Sequence, residues 1–75
     1  MKEIFIKSGF NPDSPGYFTK KRGNSILHVD QFGGLEDTGF WRIWETHPGF
    51  GTIYIYRGYI RNEKEWEIVQ DLLQI

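Results

Sequence analysis

The chain has 75 residues, no cysteine and a formal net charge of −1, so it has room for one domain. Disulfides and thiolate zinc sites are excluded, and no global field draws it to nucleic acid or an anionic membrane. A chain this short buries only about 60% of its unfolded surface, so large side chains must build the core, and three Trp, four Tyr and six Phe supply them.

Residues 3–7 (Glu-Ile-Phe-Ile-Lys) alternate weakly and are rich in β-formers, which predicts a short first strand. The charges around Ile4-Phe5-Ile6 leave no signal-peptide apolar stretch, and no run approaches the roughly 20 residues of a membrane span. A soluble, cytoplasmic protein with no membrane contact is expected, and the lack of cysteine fits a reducing compartment. Residues 8–16 carry two prolines and two glycines and read as a loop.

Residues 17–21 and 25–30 read as a hairpin around Gly23-Asn24, pairing Phe18 with Val29 and Lys20 with Leu27. Lys20, Lys21 and Arg22 then share an exposed tip, where they are a candidate contact for phosphates or an acidic partner. Residues 31–39, with Gly33-Gly34 and Glu36-Asp37, read as a loop with at most one helical turn.

The strongest pair of strands is 40–46 and 52–60, joined at Pro48-Gly49, where proline and glycine favour a type II turn. Pairing Thr46 with Thr52 sets Trp44 opposite Tyr54, Arg42 opposite Tyr56 and Phe40 opposite Gly58, a ring over a strand glycine. The other face pairs Ile43 with Ile55, Glu45 with Ile53 and Trp41 with Arg57, the last as a cation–π pair. A helix over 63–74 follows, with Asn62 as N-cap and Glu65 completing a capping box. Trp66, Val69 and Leu73 form one stripe beside Ile68, Leu72 and Ile75, while Glu63 and Glu65 suit the first turn electrostatically.

The expected fold is therefore α+β. It is a small antiparallel meander of about five strands, an open sheet or an SH3- or OB-like partial barrel, with one C-terminal helix packed on it. The helix is expected to seat on the Ile43/Ile53/Ile55 face. Phe40, Arg42, Trp44, Tyr54 and Tyr56 would then occupy the other face. They become barrel interior, lie under the 8–16 loop, or stay open as a partner-binding surface, whose residue types are those enriched at interface hot spots.

Catalysis is not expected. His28 and His47 have no cysteine beside them, and no serine sits in a nucleophile-elbow setting. The spacing of His28, Asp30, Glu45 and His47 matches no metal pattern, and the glycines do not form a phosphate loop, so neither metal nor cofactor is expected. The leading expectation is a non-catalytic module that binds a larger protein or complex, an inhibitor or regulator of a macromolecular machine of the phage or mobile-element anti-defence kind. The alternative is a single-stranded nucleic-acid or nucleotide binder that stacks bases on the aromatics beside the basic tip. Self-association as a homodimer is a third possibility.

Overall fold

A computed structural model describes residues 2–31 and 39–75. Among these, five strands form one open antiparallel sheet in sequential order: β1 (Asn11–Ser14), β2 (Tyr17–Arg22), β3 (Ser25–Gln31), β4 (Phe40–His47) and β5 (Gly51–Tyr59). Helix α1 (Lys2–Lys7) precedes the sheet and helix α2 (Glu63–Leu73) follows it. The expected α+β sheet with a C-terminal helix is what forms, and it is open, not a barrel. The segment expected as a loop over 31–39, with Gly33-Gly34 and Glu36-Asp37, lies for the most part outside the described residues.

Two segments adopt a secondary structure other than the expected one. Residues 3–7 form helix, not strand. Glu3 lies in the first turn and Lys7 in the last, each complementing the helix dipole. The helix ends in a Schellman motif, in which Gly9 N–H donates to the Ile6 carbonyl and Phe10 N–H to the Phe5 carbonyl, both at 3.0 Å. Gly9 adopts the positive φ of 92° that this ending requires. The motif brings Phe5 and Phe10 together in the core, and that burial outweighs a weak five-residue alternation.

The second correction concerns 8–16, which contains a strand. Asn11 pairs with Thr19 and Pro12 with Phe18, and Ser14–Tyr17 closes around Pro15-Gly16. Proline is tolerated in β1 because the strand is an edge. The count of five strands therefore stands with one member exchanged.

Strands β2 and β3 pair as expected, Phe18 with Val29 and Lys20 with Leu27. Between β4 and β5 the register is as expected near the turn, where Thr46 pairs with Thr52, Glu45 with Ile53 and Trp44 with Tyr54. It then shifts between Ile43 and Trp44, which leaves Ile55 as the extra residue of a β-bulge. Beyond the bulge Ile43 faces Tyr56, Trp41 faces Gly58, Arg42 faces Arg57 and Phe40 faces Tyr59, in place of the Ile55, Arg57, Tyr56 and Gly58 that unbroken pairing predicts. Both Ile55 and Tyr56 pack against the core, so the bulge turns consecutive side chains to the same side.

One sheet face is covered by both helices. Phe18, Leu27, Val29, Trp41 and Ile43 project from it and meet Phe5, Phe10, Ile60, Trp66 and Val69. Phe5 is the hub, with ring centroids 4.7 Å from Trp41, 4.8 Å from Trp66 and 5.0 Å from Phe18. Trp66 Nε1 donates to Ser8 Oγ at 2.8 Å, which ties α2 to the end of α1. The seat of α2 is thus this aromatic core and Ile43; Ile53, expected beneath the helix, is 52% exposed.

An open aromatic face on the sheet

The remaining face carries the candidate site, and its rows follow from strand register. One row runs Thr19, His28, Trp44, Tyr54 across β2 to β5, and the next runs Tyr17, Asp30, Arg42, Arg57. Phe40 and Tyr59 follow at the end, packed edge to face at 5.1 Å. No helix lies over these rows among the described residues: Tyr54 is 67% exposed, while Arg42 and Trp44 are half-buried among their neighbours.

Arg42 is fixed in place. Its Nε and Nη2 donate to the two carboxylate oxygens of Asp30 at 3.0 and 2.9 Å, a bidentate pair that raises the guanidinium pKa still further. The same guanidinium sits 5.5 Å from the Trp44 ring centre, within cation–π range. Trp44 stacks on His28 at 4.9 Å with only 2° between the planes, and Tyr17 lies parallel to both. His28 is bound at both nitrogens, Nδ1 to the Tyr17 hydroxyl at 2.7 Å and Nε2 to Thr46 Oγ1 at 3.0 Å. Burial lowers the imidazole pKa, against a weaker upward pull from Asp13 and Asp30, so the ring is neutral near pH 7. Burial likewise raises the Tyr17 phenol, which stays protonated and can donate to Nδ1. Next to this array, Arg42, Tyr54, Tyr56 and Arg57 line an open depression of about 410 Å³.

Of the five residues expected on this face, Arg42, Trp44 and Tyr54 come together in it. Phe40 lies at its end beside Tyr59. Tyr56 turns toward the core side at the bulge and also lines the depression, its hydroxyl donating to the Tyr59 carbonyl at 3.2 Å. Tyr17, His28, Asp30 and Arg57 belong to the face but were not foreseen there. Period-2 alternation already puts Tyr17 beside Thr19 and Asp30 beside His28, yet nothing local says that β3 pairs with β4 and brings them to Trp44.

The basic run divides. Lys20 points to the core side, donating to the Ser8 carbonyl at 3.0 Å with its ammonium 5.5 Å from the Phe10 ring centre. Arg22 approaches Glu45 at 4.0 Å. Of the three, only Lys21 shares the face of Trp44, so they do not form one cationic tip.

Chemically the face is a rigid set of rings and guanidinium groups. Thr46, His28 and Tyr17 form a hydrogen-bonded chain, but it lies outside the depression, which is lined by Arg42, Tyr54, Tyr56 and Arg57. His28 is on the open face, whereas Glu45 and its 3.2 Å partner His47 pair near the hairpin turn, so the four conceivable metal ligands do not converge. Among the described residues no group of three or more His, Asp or Glu is placed to hold a metal, and no helix is long and apolar enough to cross a membrane. No protein-family model, curated protein or solved structure matches this chain.

Proposed function

We propose that the protein is a non-catalytic binding module of the cytoplasm that docks a larger protein through the open face of its sheet, and acts there as an inhibitor or regulator. The observation that carries this reading is the immobilised Arg42–Trp44 pair. Asp30 clamps the guanidinium and His28 backs the indole, so much of the side-chain entropy cost of an interface is met before any partner arrives. Trp, Tyr and Arg are also the residue types that dominate interface hot spots.

Binding through phosphates is the weaker reading. It needs a concentration of cations, whereas the net charge is −1, Asp13 and Asp30 stand on the same face, and Lys20 is turned away from it.

The test is capture by the tagged protein from a lysate of its source cells, before and after nuclease, compared with a Trp44→Ala variant whose fold is checked by near-ultraviolet circular dichroism. A protein retained after nuclease and weakened by about 2 kcal/mol or more (~30-fold) in the variant supports the reading. Retention that collapses with nuclease, or weakens steeply with salt, overturns it in favour of nucleic acid.

A further inference from the structure

The two edges of the sheet differ. β1 is four residues long, contains Pro12, which has no N–H to offer, and is broken by a register shift between Pro12 and Ser14. These are the usual devices that blunt an edge. β5 is nine residues long, and no strand pairs with its outer side among the described residues. It contains no proline, no acid and a single cation, Arg57. Ile53 and Tyr54 are exposed, at 52% and 67%.

Helix α2 carries two more exposed apolar side chains. Glu63 Oε2 accepts from Lys7 Nζ at 2.8 Å, so the Glu63 flank of α2 faces α1, and α1 packs against β1 at the other edge. At 100° per residue Leu72 lies half a turn from Glu63 and Ile68 close to it. Both are large apolar side chains left outside the core, and Leu72 is 73% exposed. The flank that bears them is turned away from α1.

We propose that the protein forms a symmetric dimer in which β5 pairs antiparallel with β5 of a second copy, joining two five-stranded sheets into one of ten strands. The bulge selects the register. Directly opposed residues must point to the same face, so in a regular strand a two-fold pairing is centred on a residue or matches only residues an even number apart. In β5 the extra residue Ile55 shifts that parity: Thr52 and Tyr54 before it share the open face with Arg57 and Tyr59 after it. The pairing that overlaps the strand most fully and keeps faces matched is therefore Thr52 with Tyr59, Ile53 with Gly58 and Tyr54 with Arg57 of the second copy.

That register is self-complementary. The one cation of each strand lies opposite a tyrosine ring, not opposite its own copy, which sets up two cation–π pairs. Ile53 is placed opposite Gly58, over which the Tyr56 ring of the same copy lies, so an exposed apolar side chain meets that ring across the seam, and the Ile68 and Leu72 flanks are brought toward it. A second copy is the occupant because each end of the strand carries what the other needs, as a two-fold interface demands.

The experiment is equilibrium sedimentation of the full chain over a micromolar to millimolar range, with two sets of variants. The wild type is expected to reach twice the chain mass. Ile53→Lys, a charge at an already exposed edge position, is expected to stay folded by circular dichroism and become monomeric. Since the chain has no cysteine, a Thr52→Cys chain mixed with a Tyr59→Cys chain is expected to form the mixed disulfide in preference to either symmetric one. A wild type that remains monomeric at millimolar concentration overturns the proposal. So does a dimer that survives Ile53→Lys or lacks the preference for the mixed disulfide, since either places the contact elsewhere. Should Ile53→Lys unfold, the disulfide preference alone decides.

Discussion

Trp44 and Trp66 are the same residue type in opposite situations. Trp66 is 1% exposed, meets Phe5 and Phe10 edge to face and donates to Ser8. Trp44 lies on the open face with one side on His28. Trp66→Ala is expected to lose about 3–5 kcal/mol in urea denaturation, a large share of the stability of so small a domain. Trp44→Ala is expected to lose much less while removing partner binding. A Trp44 variant as unstable as the Trp66 variant would show the open face to be part of the core.

Two residues give stability a pH dependence of calculable sign. The folded state holds His28 below its ordinary 6.5, chiefly through burial, and so resists its protonation. That contribution is full above 6.5 and declines as pH falls from there toward the folded value. Glu45 is held below its ordinary 4.5, first by the Ser25 hydrogen bond and then by His47 and Arg22. Its contribution is present above 4.5 and is lost as pH falls through the folded value. Urea midpoints from pH 7 to 3 should therefore fall in two stages. His28→Asn should flatten the upper stage and Glu45→Gln the lower, and an unchanged profile in either variant refutes that assignment.

At the scale of elements, short-range chemistry decides the ends and packing decides the middles. Asn62 accepts from Glu65 N–H at 2.9 Å, and Glu65 returns the bond to the N–H of Arg61, one residue before the cap position of an ordinary capping box. Asn62→Ala should cost about 1 kcal/mol in thermal unfolding. The bulge has its own signature at Gly58, where a Cβ would come within 2.8 Å of the Tyr56 hydroxyl. Gly58→Ala is expected to destabilise by about 1–3 kcal/mol, and Tyr56→Phe, by removing that oxygen, to relieve part of the cost in the double variant. Strict additivity of the two changes would mean that the clash is not the cause.

For the whole molecule, local stability should follow position in the sheet. β3 and β4 are paired on both sides and carry Leu27, Val29, Trp41 and Ile43 into the core, while β1 is short, exposed and held along one edge. Amide hydrogen exchange should be slowest in β3 and β4 and fastest in β1. Equal protection in β1 would show that the sheet opens only as a unit.

Contacts between residues a few positions apart were enough to set the turns and the caps. Gly23-Asn24 and Pro48-Gly49 set two hairpins and their near-turn registers, and Asn62 and Glu65 set the start of α2. Composition pointed to a core built on large side chains, and Phe5, Phe10, Phe18, Trp41 and Trp66 share it with aliphatic residues such as Leu27 and Ile43. The end of α1 was legible as well, in Gly9 followed by an apolar residue, but the alternation of 3–7 suggested a strand. Long-range packing settled that contest, because burial of Phe5 against Phe18, Trp41 and Trp66 depends on residues up to 61 positions away. It also decided the bulge at Ile55, and with it which residues Arg42 and Phe40 face, because register beyond a turn is set by how side chains fit the core and not by the turn. And it decided which face stayed open: both faces of the β4–β5 hairpin are apolar enough to be covered, and the helices chose the one bearing Trp41 and Ile43 because Phe5, Phe10 and Trp66 fit there.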